Sequence, residues 1–327
     1  MNKLVDQFGR EHTYLRISVT DRCNLRCVYC MPHDGIKWKP KEQLLSFDEI
    51  ERIARVFVKL GIRKIRLTGG EPLVRENLED LIERLAQIEG VETLAMTTNA
   101  TLLAPKAKMI RDLGVTGLNI SLDTFHRERF AQLTRRDDFE TVMNGLNAAL
   151  SVGYPSLKLN CVVMHGFNED EVVDFATFAY DKPLNVRFIE YMPFKDNDWQ
   201  PGKVVTFAQM KEQIETKFRL SPITAERSAV GKDFSMEGGT GTVSFISSIS
   251  DSFCSSCNRL RLTADGSIKS CLFYPAESNL RDQLRAGATD SELEEMILYA
   301  LSVKPEAHPP AEEIAAGENR AMIEIGG

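Results

Sequence analysis

Residues 14–30, YLRISVTDRCNLRCVYC, decide how the rest of the 327-residue chain is read. Over 14–20, Leu15, Ile17 and Val19 alternate with Arg16, Ser18 and Thr20, the pattern of a strand with one apolar and one polar face. The strand runs straight into Cys23, Cys27 and Cys30, spaced C-x3-C-x2-C. Three thiolates at that spacing can hold three irons of a 4Fe–4S cube and leave the fourth iron open to a small molecule. A structural zinc site usually takes four protein ligands, often in two pairs, so a compact three-cysteine loop fits it poorly.

Composition sets the bounds. The chain is 43% hydrophobic and 27% charged, as in an ordinary soluble globular protein. Its net charge of -7 argues against a nucleic-acid or anionic-membrane surface, while leaving a basic cavity open. The N-terminal MNKLVDQFGREH is too polar for a signal peptide, and no apolar run reaches membrane-spanning length. Seven cysteines in such a chain point to metal or redox chemistry in a reducing cytoplasm, not to disulfides.

From Ser46 onward, helix and strand patterns alternate. Helices are expected from Ser46 (a capping box with Glu49) to Gly61, then over 77–88, 104–113, 138–152, 169–180 and about 206–218, the last with a box of Thr206 and Gln209. Strands are expected over 64–68, 91–97, 117–122, 157–163 and 184–190. Six β/α units in a row call for a parallel sheet. Several strands have one polar face, whereas a doubly wound sheet is covered on both. The fold class is therefore α/β: a partial, TIM-like barrel of six β/α units with a polar lumen, and a C-terminal extension carrying a second Fe–S site. Residues 1–220 would form the barrel and 221–327 a C-terminal region that closes it. Segment 221–241, rich in Gly and Ser, reads as a loop. A hairpin of Arg259–Thr263 and Ser267–Leu272 should turn at Asp265-Gly266, followed by helices near 278–286 and 290–301 and a polar tail.

Three groups of residues carry chemistry. Gly69-Gly70-Glu71-Pro72 ends the second strand, where glycines let backbone approach a ligand and Glu71 can accept from an ammonium group. Ser121 and Asp123 end the fourth strand, where polar contacts to the same ligand are expected. Cys254, Cys257 and Cys271 repeat the three-cysteine theme; a zinc knuckle would need a fourth ligand that the segment lacks, so a second 4Fe–4S cluster facing the substrate is favoured. Cys161, on the apolar face of KLNCVV, reads as a core thiol. Finally Arg16, Lys64, Arg66, Lys158, Arg259 and Arg261 fall on inward strand positions with few matching carboxylates. Buried cations of this kind call for an anion, and a triphosphate is a natural one.

SVTDRCNLRCVYCMP, IRLTGGEPLVR, TTNA, NISLD, VRFIEYMPF, FCSSCNRLRLTADGSIKSCLF and the terminal IGG together resemble the radical S-adenosylmethionine (SAM) superfamily and, within it, the GTP 3′,8-cyclases of molybdenum cofactor biosynthesis. That resemblance implies two 4Fe–4S clusters and SAM as cofactors. Cys23, Cys27 and Cys30 would hold the SAM cluster, with Tyr29, Gly69, Gly70, Glu71, Ser121 and Met192 at SAM. Cys254, Cys257 and Cys271 would hold a second cluster facing the guanine. Arg16, Arg66, Thr97, Lys158, Arg259 and Arg261 match GTP-contacting positions, with Lys64 and Arg187 nearby. Arg16, Lys158, Arg259, Arg261, Gly326 and Gly327 are the catalytic set it implies, the two glycines as a tail that enters the site. A deoxyadenosyl radical would take hydrogen from ribose C3′, the carbon radical would add to guanine C8, and an electron and a proton would quench the product. The resemblance also implies a homodimer, an electron donor protein and a downstream cyclic pyranopterin monophosphate synthase. One departure is Ala100, where the family usually has glycine. Two other readings stand beside this one: a radical SAM enzyme with an auxiliary cluster that modifies a peptide, and a non-catalytic metal-binding protein.

Overall fold

The computed structural model describes residues 3–31, 36–224, 230–317 and 320–326. Strands β1 (Tyr14–Ser18), β2 (Lys64–Thr68), β3 (Thr93–Thr98), β4 (Val115–Ser121), β5 (Ser156–Val163) and β6 (Asn185–Glu190) lie side by side in sequence order, all parallel. Helices α1 (Phe47–Lys59), α2 (Leu78–Ala86), α3 (Ala107–Asp112), α4 (Arg127–Thr134), α5 (Phe139–Val152), α6 (Val172–Ala179) and α7 (Phe207–Glu215) connect or follow them. Both expected capping boxes are present: Ser46 with Glu49 ahead of α1, and Thr206 with Gln209 ahead of α7. α4 lies where no helix was expected, because RERFAQLT offers only Phe130 and Leu133 as large apolar anchors.

The chain beyond residue 220 adds to both edges of this sheet. β7 (Leu220–Pro222), β8 (Lys232–Met236) and β9 (Thr242–Ile246) form an antiparallel meander whose last strand pairs parallel to β6. Part of the expected 221–241 loop is therefore strand; its signal is only Phe234 and Met236, buried on one side of KDFSM. β10 (Arg259–Leu262) crosses to the other edge and pairs parallel to β1, and β11 (Ser267–Lys269) and β12 (Ser278–Asn279) continue antiparallel from it. The expected hairpin turn is there, with Gly266 at φ 82°. The second arm is shorter than expected, ending at Lys269 ahead of Cys271. The full order is β12-β11-β10-β1-β2-β3-β4-β5-β6-β9-β8-β7. Six β/α units thus become eight adjacent parallel strands, with hairpins outside them. Helices α8 (Leu280–Arg285) and α9 (Asp290–Ser302) follow, and the expected polar tail contains α10 (Ala311–Ala316) and α11 (Met322–Ile325).

The alternation that selected a barrel appears as burial. In β5, Leu157, Leu159, Cys161 and Val163 are buried against the outer helices, while Lys158, Asn160 and Val162 face the lumen at intermediate exposure. Leu15 and Ile17, Ile65 and Leu67, and Val186 and Phe188 do the same in their strands, packing with Ile50, Ile53, Phe57 and Phe175. Cys161 is buried in this cluster, as expected of a core thiol. No helix among the described residues is long and apolar enough to cross a membrane.

β9 reaches β6 only by passing close over the end of α6. A Cβ on Gly241 would lie 1.9 Å from the Ala179 carbonyl oxygen, and Thr240 N already donates to Tyr180 O at 2.8 Å. Gly241→Ala is expected to destabilise the fold by about 1–3 kcal/mol through overpacking. A lowered Tm in thermal unfolding checks this; an unchanged Tm would show that the α6 end yields freely.

Candidate active site

The loop after β1 carries the first cysteine set, and the Gly-Gly-Glu segment after β2 holds that loop in place. Gly70 N donates to Thr20 O (2.9 Å) and Glu71 N to Arg22 O (2.8 Å). A Cβ on Gly69 would stand 2.7 Å from Thr20 O, and one on Gly70 2.4 Å from Arg22 O. Both glycines are thus required by the approach of one backbone to another, in addition to lining the cavity described below. The far side of the loop is pinned by Arg26 N to Thr134 O and Val28 N to Leu133 O, each 2.9 Å, at the end of α4.

Glu71, expected as an ammonium acceptor, lines the cavity and also holds the protein's own backbone. Its carboxylate accepts from Leu73 N (3.1 Å), Thr98 Oγ1 (2.7 Å) and Asn99 N (2.6 Å), and burial pushes it up to about 7 despite those bonds. It fixes the end of β3, from which the Asn99 amide reaches Asn24 Oδ1 (2.9 Å) and Cys23 Sγ (3.7 Å). Asp123 is likewise engaged: Tyr29 donates to one oxygen at 2.6 Å and Val162 N to the other at 2.7 Å, and burial holds its carboxyl up at about 6. Ala100, in the same β3 loop, has φ 64°, the left-handed region that favours the glycine usual at this position. Gly145 on α5 makes room for it: a Cβ there would lie 2.3 Å from Ala100 O.

Burial pushes the Cys23 thiol up to about 11, and burial with the neighbouring thiols raises Cys27 and Cys30 as well. All three are free and partly exposed. Half-buried thiols that resist ionisation on their own, with no imidazole among them, are a donor set that an iron–sulfur core's positive irons would stabilise. Among the described residues no three His, Cys, Asp or Glu side chains converge as they would on a single ion. A cube asks for no such convergence, since each thiolate takes a different iron. The donor set fits the cluster.

Arg16, Arg66 and Arg261 occupy one level of the sheet, paired in register across β10, β1 and β2. One level toward the strand starts, Arg259, Tyr14 and Lys64 are likewise in register. On the opposite wall, Lys158 pairs with Asn119, and Arg187 with Asn160, whose Oδ1 accepts from Arg187 Nε at 2.8 Å. Burial, then repulsion among these cations, lowers Lys158 to about 8 and Arg187 and Arg261 to about 9. The sequence reading missed Tyr14, although it shares Arg16's face of β1. Its hydroxyl accepts from Arg66 Nε at 2.7 Å. Burial would raise the phenol, but Arg66, Arg16 and Lys64 bring it down to about 6. Asp233 of β8, which lines the same space and raises Lys158 and Arg187, was hidden in the segment read as a loop.

A cavity of about 960 Å³ joins these groups. Cys23, Cys27, Cys30, Tyr29, Gly69, Gly70, Glu71, Ser121 and Met192 line it, as do Arg16, Lys64, Arg66, Thr97, Lys158, Arg187, Arg259 and Arg261. Cys254, Cys257 and Cys271 are not in its lining, but their sequence neighbours Phe253, Asn258 and Leu272 are. Cys257 precedes β10 and Cys271 follows the antiparallel β11, so both lie at the start of β1, while Cys23 lies past its end. The two cysteine sets are therefore separated by the length of β1, roughly 15 Å. Burial would raise the Cys257 thiol, but Arg259 and Lys304 bring it down to about 6.

The C-terminal segment enters from the side. Gly326 is buried, with φ 86°, and a Cβ there would lie 2.5 Å from Ser18 Cβ and 3.0 Å from Thr68 Oγ1, on the lumen face of β1 and β2. Met322 and Ile323 line the cavity, and Arg320 pairs with Asp265 at 3.1 Å. Gly327 lies outside the described residues.

A model described as the radical SAM superfamily matches residues 17–179, and one described as Molybdenum Cofactor Synthesis C matches residues 184–310. The chain is 48% identical over 325 residues to the mitochondrial GTP 3′,8-cyclase of Arabidopsis thaliana, covering 99% of this chain and 83% of that protein. It is 43% identical to the GTP 3′,8-cyclase of Moorella thermoacetica, covering 98% and 99%. Against molybdenum cofactor biosynthesis protein 1 of Homo sapiens it is 47% identical, covering 98% of this chain but 51% of that one, so it spans about half the length of that relative. Streptococcus suis SuiB bound to precursor peptide SuiA shares the fold, with a TM-score of 0.61 and 15% identity over 96% of this chain and 70% of that one. The chain belongs to the radical SAM superfamily and, within it, to the GTP 3′,8-cyclase family.

Proposed function

We propose that the protein converts GTP to (8S)-3′,8-cyclo-7,8-dihydroguanosine 5′-triphosphate, an early step of molybdenum cofactor biosynthesis. The observation that carries this reading is a single cavity lined by Cys23, Cys27 and Cys30, by the sequence neighbours of the second cysteine set (Phe253, Asn258 and Leu272), and by a band of cations. A cavity of about 960 Å³ has room for a nucleotide and SAM together. Cys23, Cys27 and Cys30 hold the SAM cluster, and Tyr29, Gly69, Gly70, Ser121 and Met192 form the SAM end. Glu71 contributes by fixing Thr98 and Asn99. Cys254, Cys257 and Cys271 hold the second cluster, next to the guanine. When bound, the first cluster and SAM supply the 5′-deoxyadenosyl radical that takes hydrogen from ribose C3′.

The chain's own residues bind, orient and exclude water. Arg16, Lys64, Arg66, Lys158, Arg187, Arg259 and Arg261 meet the triphosphate and the base, with Thr97 beside Arg66. The tail at Gly326 fills the lumen at Ser18 and Thr68, with Arg320 anchoring it to Asp265. The division at residue 220 into a radical SAM barrel and a C-terminal region belongs to this reading. So do a cytoplasmic location, a homodimer, an electron donor protein, and a cyclic pyranopterin monophosphate synthase that takes up the product.

Two outcomes follow from the cation band. Arg259→Ala is expected to weaken GTP binding at least tenfold in calorimetry while leaving SAM binding within about twofold, since a charge-assisted contact is worth roughly 1.5–3 kcal/mol. Equal loss for both ligands would refute the division of the cavity. The second outcome concerns protons. In the free enzyme Lys158 loses its proton near pH 8 and Tyr14 near pH 6. A bound triphosphate raises both, so above these values binding must take up protons, and GTP affinity falls as pH rises from 6 to 9. Calorimetry in buffers of different ionisation enthalpy at pH 8 should show net uptake, reduced in Tyr14→Phe; net release would contradict it.

A further inference from the structure

Lys304 follows α9 and is 2% exposed. Its Nζ donates to the Ser270 carbonyl, to the Arg259 carbonyl at 3.3 Å and to Cys257 Sγ at 3.7 Å. An ammonium carries three N–H donors and no acceptor, and each donor here has an acceptor, so the site is built for the charged form. Its acceptors all belong to the second cysteine site: Cys257 itself, Arg259 two residues on, and Ser270 next to Cys271.

A second buried cation ties down the rest of that site. Arg10, paired with Asp6 at 2.6 Å, donates to the Cys254 carbonyl (2.8 Å) and to the carbonyls of Pro305 and Glu306 (both 2.7 Å). The segment that carries Lys304 is thereby fastened to Cys254. A buried ammonium beside Arg10 and Arg259 is unfavourable unless negative charge faces it. A 4Fe–4S core with three thiolates is anionic and becomes more so on reduction. Hydrogen bonds to the cluster's sulfurs and nearby charge are what set its potential.

We propose that Lys304 is a positioning residue for the second cluster: its ammonium, bonded to Cys257, favours the reduced cluster and holds the Cys257 and Cys271 segments around it. This rests on the reading of Cys254, Cys257 and Cys271 as a 4Fe–4S site. The test is a potentiometric EPR titration of reconstituted full-length protein, with iron and sulfide counted in parallel. Triple-alanine variants of each cysteine set assign the two signals. Lys304→Met is expected to keep about eight irons and the first cluster's potential while shifting the second cluster's midpoint to more negative values, and Lys304→Arg is expected to stay near wild type. Loss of about four irons in Lys304→Met but not in Lys304→Arg also supports the proposal, because it separates charge from packing. An unshifted second midpoint in Lys304→Met with full iron overturns it, as does the same loss of iron in both variants. Wild-type protein with only about four irons and with zinc would instead bring down the second-cluster reading itself, a distinguishable result.

Discussion

Arginines in register across neighbouring strands are the constraint around which the protein is built. Adjacent strands stand about 4.8 Å apart, so guanidinium heads at that spacing would repel by roughly 3 kcal/mol per pair at an effective dielectric near 20. The Tyr14 hydroxyl, bonded to Arg66, relieves part of this. Burial nevertheless leaves Lys158, Arg187 and Arg261 below their ordinary values. A lumen that repels itself in this way is organised for a polyanion. The parallel sheet explains how the strain is sustained: the outer faces of the same strands are buried in a continuous apolar layer with the helices.

Parallel strands also give the cavity two chemically different ends. Loops after the strands carry Cys23, Cys27 and Cys30; the segments flanking β10 and β11 carry Cys257 and Cys271 at the other end. β10 sits beside β1 through residues far apart in sequence, so the C-terminal region brings its cysteines and its two arginines to the first strand of the barrel. The Gly69–Glu71 segment then fixes the first cysteine loop, and Gly326 fills the space against Ser18 and Thr68.

Much of this was legible in the sequence because a strand's period of two is robust. Alternation assigned Arg16, Lys64, Arg66, Lys158, Arg259 and Arg261 to the lumen, and the cavity lining agrees. What escaped the reading depended on contacts distant in sequence. The structural part played by Glu71 was hidden because its partners, Thr98 and Asn99, lie on another strand's loop. Asp233 was masked by a Gly- and Ser-rich neighbourhood whose alternation spans only five residues. Lys304 sat in a stretch read as polar tail, with nothing local to mark it as buried. Tyr14 was the one omission that the pattern itself could have supplied, since it shares a face with Arg16.

The central claim is that SAM and GTP meet in this one cavity with ribose C3′ toward the SAM end. It is tested most directly by supplying reduced, reconstituted enzyme with SAM and GTP deuterated at C3′, then measuring the mass of the 5′-deoxyadenosine formed. Deoxyadenosine formation is expected to depend on GTP, and the deoxyadenosine to carry the deuterium. Deoxyadenosine formed equally without GTP, or formed with GTP but free of deuterium, would contradict it.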